Sequence, residues 1–217
     1  MKIFTWNQLN ELSDFVSQFC TSNNKKSALT IGGFDGPHLG HKKLFDEVLK
    51  QNNCAKGIVT FRFTKEFVKF KKNFSGSLTT FRLKMESFEK LGFDFCLVID
   101  FSVEFSRIKG IDFLKMLRES CSMQFLAVGS DFHCGYNLDT GVAELSDYAK
   151  QTGLELSICE QVLTENYRIS SSFLRNLVYE GNFSKVNELL VFPFAFASRY
   201  FPNVINVSII PADSKYK

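Results

Sequence analysis

Short apolar runs alternate with stretches of helical period along most of this chain, and no other sequence feature restricts its fold as much. Ala28 to Ile31 reads as a short buried strand running straight into Gly32-Gly33. His41 to Lys50 then carries Leu44, Phe45, Val48 and Leu49 at helix spacing, and Ile58 to Phe63 reads as the next strand. The pattern continues with a helix over Leu83 to Leu91, a strand over Phe95 to Ile99 and a helix over Ile111 to Leu117. A strand over Phe125 to Val128 ends at Gly129, Val142 to Gln151 is helical, and Leu154 to Cys159 is extended. Two helices, Ser172 to Tyr179 and Phe183 to Leu190, are split by Gly181-Asn182. The opening segment, Asn7 to Cys20, shows helix period in Leu9, Leu12, Phe15, Val16 and Phe19. Strands joined through helices imply right-handed crossovers, so the expected class is α/β: a doubly wound, mostly parallel sheet with helices on both faces. Ligands of such sheets bind outside the carboxyl ends of the strands, and the loops at Gly32, Phe63 and Gly129 all follow strands.

Composition narrows the class of partner. With 217 residues, 45% hydrophobic and 23% charged, the chain has enough apolar material for a full core and none of the signature of disorder. A formal net charge of +3 offers no concentrated basic face, so nucleic acid is not an expected partner. The six cysteines, Cys20, Cys54, Cys96, Cys121, Cys134 and Cys159, show no zinc-ligand spacing and mostly sit in apolar runs. Free thiols in a reducing compartment are expected. No apolar segment has signal-peptide or membrane-span length, so the expected location is cytoplasmic, without membrane association. Most of the 25 phenylalanines fall at strand or helix spacing and read as core.

Two constellations carry chemistry. In the first, a strand, a glycine turn (Gly32, Gly33, Gly36) and a helix start follow one another directly, with His38 and His41 flanking Gly40. Glycines allow the backbone to turn sharply and approach a ligand, and a helix N-terminus favours a phosphate. Residues three apart share a helix face, so both imidazoles are expected to address one site and hydrogen-bond phosphoryl oxygens. No Gly-Lys-Ser/Thr follows, which excludes the phosphate loop of nucleoside triphosphatases. In the second, Arg168-Ile169-Ser170-Ser171-Ser172-Phe173-Leu174-Arg175 opens the penultimate helix. One serine suffices for a cap; three in a row between arginines read as a second anion-binding helix start.

Together these motifs resemble the nucleotidyltransferase superfamily that carries His-x-Gly-His early and Ile-Ser-Ser-Thr-x-x-Arg late, and most closely the FMN adenylyltransferase module of bacterial bifunctional riboflavin kinase/FAD synthetase. The opening Gly-x-Phe-Asp-Gly-x-His-x-Gly-His pattern is present through His41. Leu78-Thr79-Thr80 through Lys84 is similar to a Leu-Thr-x-x-x-x-Lys segment, and Gly129, Asp131, Phe132 and Gly135 match a Gly-x-Asp-Phe-x-Phe-Gly motif. The resemblance covers roughly residues 28 to 190 and implies a Rossmann-like nucleotidyltransferase domain over 1–191, followed by an extension over 192–217 without a complete riboflavin kinase domain. It implies FAD synthesis from ATP and FMN, with pyrophosphate released and Mg²⁺ accompanying ATP. By the same resemblance His38, His41, Ser171 and Arg175 are the expected catalytic residues. Gly33, Phe34, Asp35, Gly40, Gly129, Asp131, Phe132, Arg168, Ser170 and Ser172 are the expected binding residues.

The chain departs from the family pattern in three places. Phe61-Arg62-Phe63-Thr64-Lys65 stands where the family has a Phe-x-Pro-His-Pro type loop, Cys134 replaces an aromatic residue, and Ser172 replaces threonine. The first departure lies at the acceptor end. It leaves two alternatives to FAD synthesis: a sister nucleotidyltransferase with another phosphate acceptor, or a catalytically degenerate flavin- or nucleotide-binding protein.

Overall fold

The computed structural model describes residues 1–19, 26–63, 76–165 and 167–194. In sequence Lys65, Lys69, Lys71 and Lys72 form a basic run that reads as a solvated face, and Val204 to Ile210 reads as a lone strand; these and Cys20 lie outside the described residues. The chain divides into two compact units. The first comprises Met1–Gly33, Lys43–Phe74 and Phe88–Glu160; the second comprises Phe34–Lys42, Ser75–Ser87 and Gln161–Lys217.

The principal elements in chain order begin with β1 (Lys2–Thr5), α1 (Leu9–Ser17), β2 (Ser27–Ile31), α2 (Leu39–Leu49), β3 (Ala55–Phe63), α3 (Phe81–Leu91) and β4 (Phe95–Phe101). They continue with α4 (Gly110–Cys121), β5 (Met123–Gly129), β6 (His133–Cys134), β7 (Thr140–Gly141), α5 (Val142–Thr152) and β8 (Glu155–Cys159). The last are β9 (Leu163–Thr164), β10 (Tyr167–Arg168), α6 (Ser171–Tyr179) and α7 (Phe183–Leu189). Residues of α2 and α3 are shared between the units.

In the first unit six strands form a parallel sheet in the order β1-β4-β3-β2-β5-β8. The expected doubly wound α/β class is therefore observed, with every pairing in this sheet parallel. From β2 the chain steps one way to β3 and β4, then returns across β2 to β5 and β8. Right-handed crossovers put the helices of the outward and return steps on opposite sheet faces. Alternation along the strands sorts the core accordingly. Leu29 and Ile31 of β2, Phe95, Leu97 and Ile99 of β4, and Leu126 and Val128 of β5 join Leu12 and Val16 of α1, Leu114 and Leu117 of α4 and Leu145 of α5 in one cluster. Within it Phe95 is fully buried, which contributes roughly 1.5–3 kcal/mol by the usual transfer measure. Gly57, its register partner on β3, leaves the space its ring occupies: a Cβ there would lie 2.2 Å from Phe95 Cζ. Phe45, Phe88 and Phe93 form a separate edge-to-face group.

In the second unit α6 and α7 pair through Leu174, Leu177, Val186 and Leu189, joined by Leu78, Ile169, Leu190 and Phe194. An isolated bridge between His38 and Leu190 and a bond from Val191 N–H to Pro37 O at 2.8 Å tie the histidine segment to the chain leaving α7.

Candidate functional site

The sheet order puts the reversal between β2 and β5, whose onward connections leave toward opposite faces; crevices at such switch points bind ligands in open α/β sheets. Four of the sequence-predicted residues lie at these carboxyl ends, all in the first unit. Gly33 follows β2; a Cβ there would meet nothing within 4 Å, and its carbonyl accepts from Thr60 Oγ1 at 3.1 Å. Gly129 ends β5, and a turn returns Phe132 N–H to Gly129 O at 3.0 Å. Asp131 at the tip of that turn is exposed. Phe132 packs its ring partly into the core of the unit. His133 Nδ1 lies 2.9 Å from the Asp131 carbonyl, which ties β6 to the same turn.

The remaining predicted residues belong to the second unit, and there the structure brings the two histidines together with the serine–arginine segment. The chain leaves β2 through Phe34, whose φ of +47° is a left-handed conformation uncommon for a bulky residue and costs on the order of 1–2 kcal/mol. Gly36 follows at φ +60°, packed so closely on Leu78 that a Cβ would lie 2.8 Å from Leu78 Cδ1. This turn delivers His38 as the cap of α2 rather than as a residue within it. Its carbonyl accepts from Lys42 N–H at 2.9 Å, and its Nδ1 accepts from His41 N–H at 3.3 Å. The sequence anticipates a helix from His41; the observed start at Leu39 follows from this cap.

The two imidazoles stack, with ring centroids 3.6 Å apart and planes 18° from parallel, and the Phe34 ring meets His41 edge-on at 5.1 Å. Gly40 makes room for the stack: a Cβ there would sit 3.1 Å from the His38 ring and 3.4 Å from Ile169 O. Burial lowers the pKa of His38 to about 4; the charge of Arg168 acts in the same direction and that of Asp35 opposes it. His41 is lowered well below the ordinary histidine value, first by burial and then by His38, Lys84 and Arg168. Both rings are therefore neutral at pH 7. Because Nδ1 of His38 accepts a backbone proton, its own proton resides on Nε2, which makes that nitrogen a fixed donor.

Ser170 is the N-cap of α6, its hydroxyl accepting from Phe173 N–H at 3.2 Å. Ser171 donates its hydroxyl to the Asp35 carbonyl at 2.7 Å, and Arg175 pairs with the Asp35 carboxylate at 2.5 Å. Ser172 and Arg168 are exposed. Lys84 on α3 is a functional candidate that the motifs alone do not single out: only 8% exposed, it places a buried positive charge whose field reaches His41. Its signal in the sequence is its place in the Leu78 to Lys84 segment, but the burial that gives it weight depends on the fold. Among the described residues no helix is long and apolar enough to cross a membrane.

Comparison with known proteins adds the relatives. A family model described as FAD synthetase matches residues 20–173. The chain is 30% identical over 182 residues to a bifunctional riboflavin kinase/FMN adenylyltransferase from Buchnera aphidicola subsp. Schizaphis graminum, covering 81% of this chain and 58% of that protein. It is 27% identical over 175 residues to the protein of the same name from Escherichia coli K12, covering 79% and 56%. A Listeria monocytogenes protein called FAD synthetase is 25% identical over 185 residues, covering 82% of this chain and 75% of the relative. The chain thus spans little more than half the length of the bifunctional relatives. Among solved structures, one titled macrolide-efflux protein from Streptococcus pneumoniae superposes with a TM-score of 0.70 at 18% identity, covering 90% of this chain and 62% of that one. A pantoate-beta-alanine ligase from Francisella tularensis superposes at 0.52 and 11% identity, covering 86% and 84%. At these identities the two structures speak for the fold alone.

Proposed function

The chain belongs to the FAD synthetase family, and from that membership we propose that it transfers the adenylyl group of ATP to FMN. An oxygen of the FMN phosphate attacks the α-phosphorus of ATP, the bond from that phosphorus to the bridging oxygen breaks, and FAD and pyrophosphate result. No protein nucleophile is required; positioning and charge stabilisation carry the reaction.

The observation that supports this reading best is the convergence, within the second unit, of the stacked neutral histidines with the helix start at Ser171 and with Arg175. In the proposed roles, His38 and His41 donate N–H groups to phosphoryl oxygens as charge develops on them. Ser171, Ser172, Arg168 and Arg175 serve the leaving phosphates, and Ser170 holds the helix start. Neutral donors suit such a role because they bind oxygens without releasing a proton. The net positive charge comes instead from Lys84 and the arginines. Gly33, Phe34, Asp35, Gly40, Gly129, Asp131 and Phe132 are proposed to shape ligand binding. Mg²⁺ is proposed to arrive with ATP, held chiefly by phosphate oxygens and water, as that ion ordinarily is. Among the described residues no group of three or more His, Cys, Asp or Glu side chains is disposed to hold a metal by itself.

The departure from the family's loop at Phe61 to Lys65 favours a second acceptor. Arg62 grips Asp100 across β3 and β4 with bonds of 2.6 and 2.8 Å, within the segment that departs from the family's Pro-His-Pro loop. A sister transferase with another phosphorylated acceptor follows from that reading. Mass spectrometry of products from ATP, Mg²⁺ and FMN decides between them. FAD and pyrophosphate are expected. A folded sample that makes no FAD at any enzyme concentration, yet consumes ATP with another phosphorylated acceptor, establishes the alternative.

A further inference from the structure

Three segments of the second unit meet at Asp35. Its carboxylate accepts Leu78 N–H at 3.0 Å through Oδ2 and Thr79 N–H at 3.2 Å through Oδ1. The same Oδ2 pairs with Arg175 Nη2 at 2.5 Å. The backbone carbonyl of Asp35 accepts the Ser171 hydroxyl at 2.7 Å. The arrangement is closed by Arg175 Nε donating to Gly76 O at 3.1 Å and Gly36 N–H donating to Thr79 Oγ1 at 3.4 Å. Both charged side chains are only 21% exposed, so their geometry is better defined than that of a solvated surface pair.

A carboxylate is an unsuitable direct ligand for a polyphosphate, and the oxygens of this one are already engaged by N–H donors from two backbone amides and a guanidinium. We propose that Asp35 is a positioning residue: it does not touch the phosphates but presets Arg175 in the orientation from which it binds them, while its carbonyl anchors the helix start at Ser171. The plane of a guanidinium bound along one edge is fixed, which leaves its other donors aimed before the anion arrives. The identity of the anion rests on the adenylyl-transfer reading, whereas the positioning itself applies to any polyphosphate.

The test uses the full chain with inorganic pyrophosphate, measured by calorimetry, beside FAD formation from ATP and FMN. Asp35→Asn keeps the shape and one acceptor but not the charge. It is expected to weaken pyrophosphate binding roughly tenfold to a hundredfold, and Arg175→Ala at least as much. The double variant is expected to be no weaker than Arg175→Ala alone, because Asp35 acts through Arg175. Losses that multiply in the double variant, wild-type affinity in Asp35→Asn, or no pyrophosphate binding by the wild type would each overturn the proposal. Should Asp35→Asn not fold, Asp35→Glu carries the same cycle, with its charge displaced by one methylene. Coupled losses of pyrophosphate binding in a protein that makes no FAD would leave the positioning role standing and remove the FMN assignment.

Discussion

The amide of His41 donates to Nδ1 of His38 at 3.3 Å while the two rings stack 3.6 Å apart, so the cap of α2 and the candidate phosphate donors are one structure. Capping satisfies an amide that a helix start otherwise leaves without a partner, and it fixes the His38 proton on Nε2. The arrangement also makes the fold sensitive to acid, because a proton on Nδ1 would break the cap.

The sign of that sensitivity follows from the depressed pKa of His38, about 4 against an ordinary 6.5. Between these values the unfolded chain binds more protons than the folded one, so stability rises with pH through the window and falls as pH drops. The contribution is fully present above about 6.5 and largely lost at about 4. Between pH 8 and pH 5 it amounts to roughly 2 kcal/mol from His38 alone, and His41 acts with the same sign. Urea unfolding at the two pH values checks this. His38→Asn, whose amide oxygen can still cap, is expected to lose less stability over the same interval; an equal loss contradicts the assignment.

His41→Ala addresses chemistry rather than folding. Removal of one well-placed donor to a developing oxyanion costs on the order of 10²–10³ in kcat. FAD formation by the variant is expected to slow by about that factor, with an unchanged circular dichroism spectrum. A variant within threefold of wild type would remove His41 from the catalytic set.

Lys84→Met tests the buried charge. The substitution keeps the aliphatic stem and removes the ammonium, which otherwise disfavours a proton on His41. His41 is therefore expected to titrate at higher pH in the variant, as followed by the imidazole ring signals in NMR. If Lys84 also supplies charge to the phosphates, kcat/KM for ATP falls by roughly tenfold or more. An unmoved His41 titration would show that the ammonium does not act on the ring.

Much of this architecture is legible in the sequence, for physical reasons that differ by element. Helices α2, α4 and α5 declare themselves because one face of each must be apolar at helical period, and the central strand β2 because it is buried along its whole length. Strand β1 is not legible: its four residues start at Lys2, and it is a strand only because it pairs with β4, from Lys2 to Phe95 through Thr5 to Val98. That partner is remote in sequence and leaves no local pattern. The two-residue strands β6, β7, β9 and β10 are likewise products of tertiary context. At the site, the glycine turn and both histidines are visible as residue types. The commitment of Asp35 to Arg175 and Thr79 is not, since it joins positions more than forty residues apart. The C-terminal extension expected over 192–217 lies mostly outside the described residues.

Gly57→Ala examines the packing of the sheet itself. Glycine weakens a strand interior, so an alanine here would ordinarily stabilise by reducing the freedom of the unfolded chain. The local geometry reverses that expectation: the added Cβ would lie 2.2 and 2.5 Å from Phe95 Cζ and Cε2 and 2.6 Å from Leu29 Cδ2. Phe95 and Leu29 are both fully buried, so neither ring nor methyl can move away into solvent. Overpacking of this kind costs typically about 1–3 kcal/mol. For a chain of this size that corresponds to a fall in Tm of roughly 2–12 °C. Differential scanning calorimetry of the variant is expected to show the fall, with secondary structure retained. A Tm equal to or above that of the wild type would mean that the Phe95 ring has room that its neighbours do not reveal.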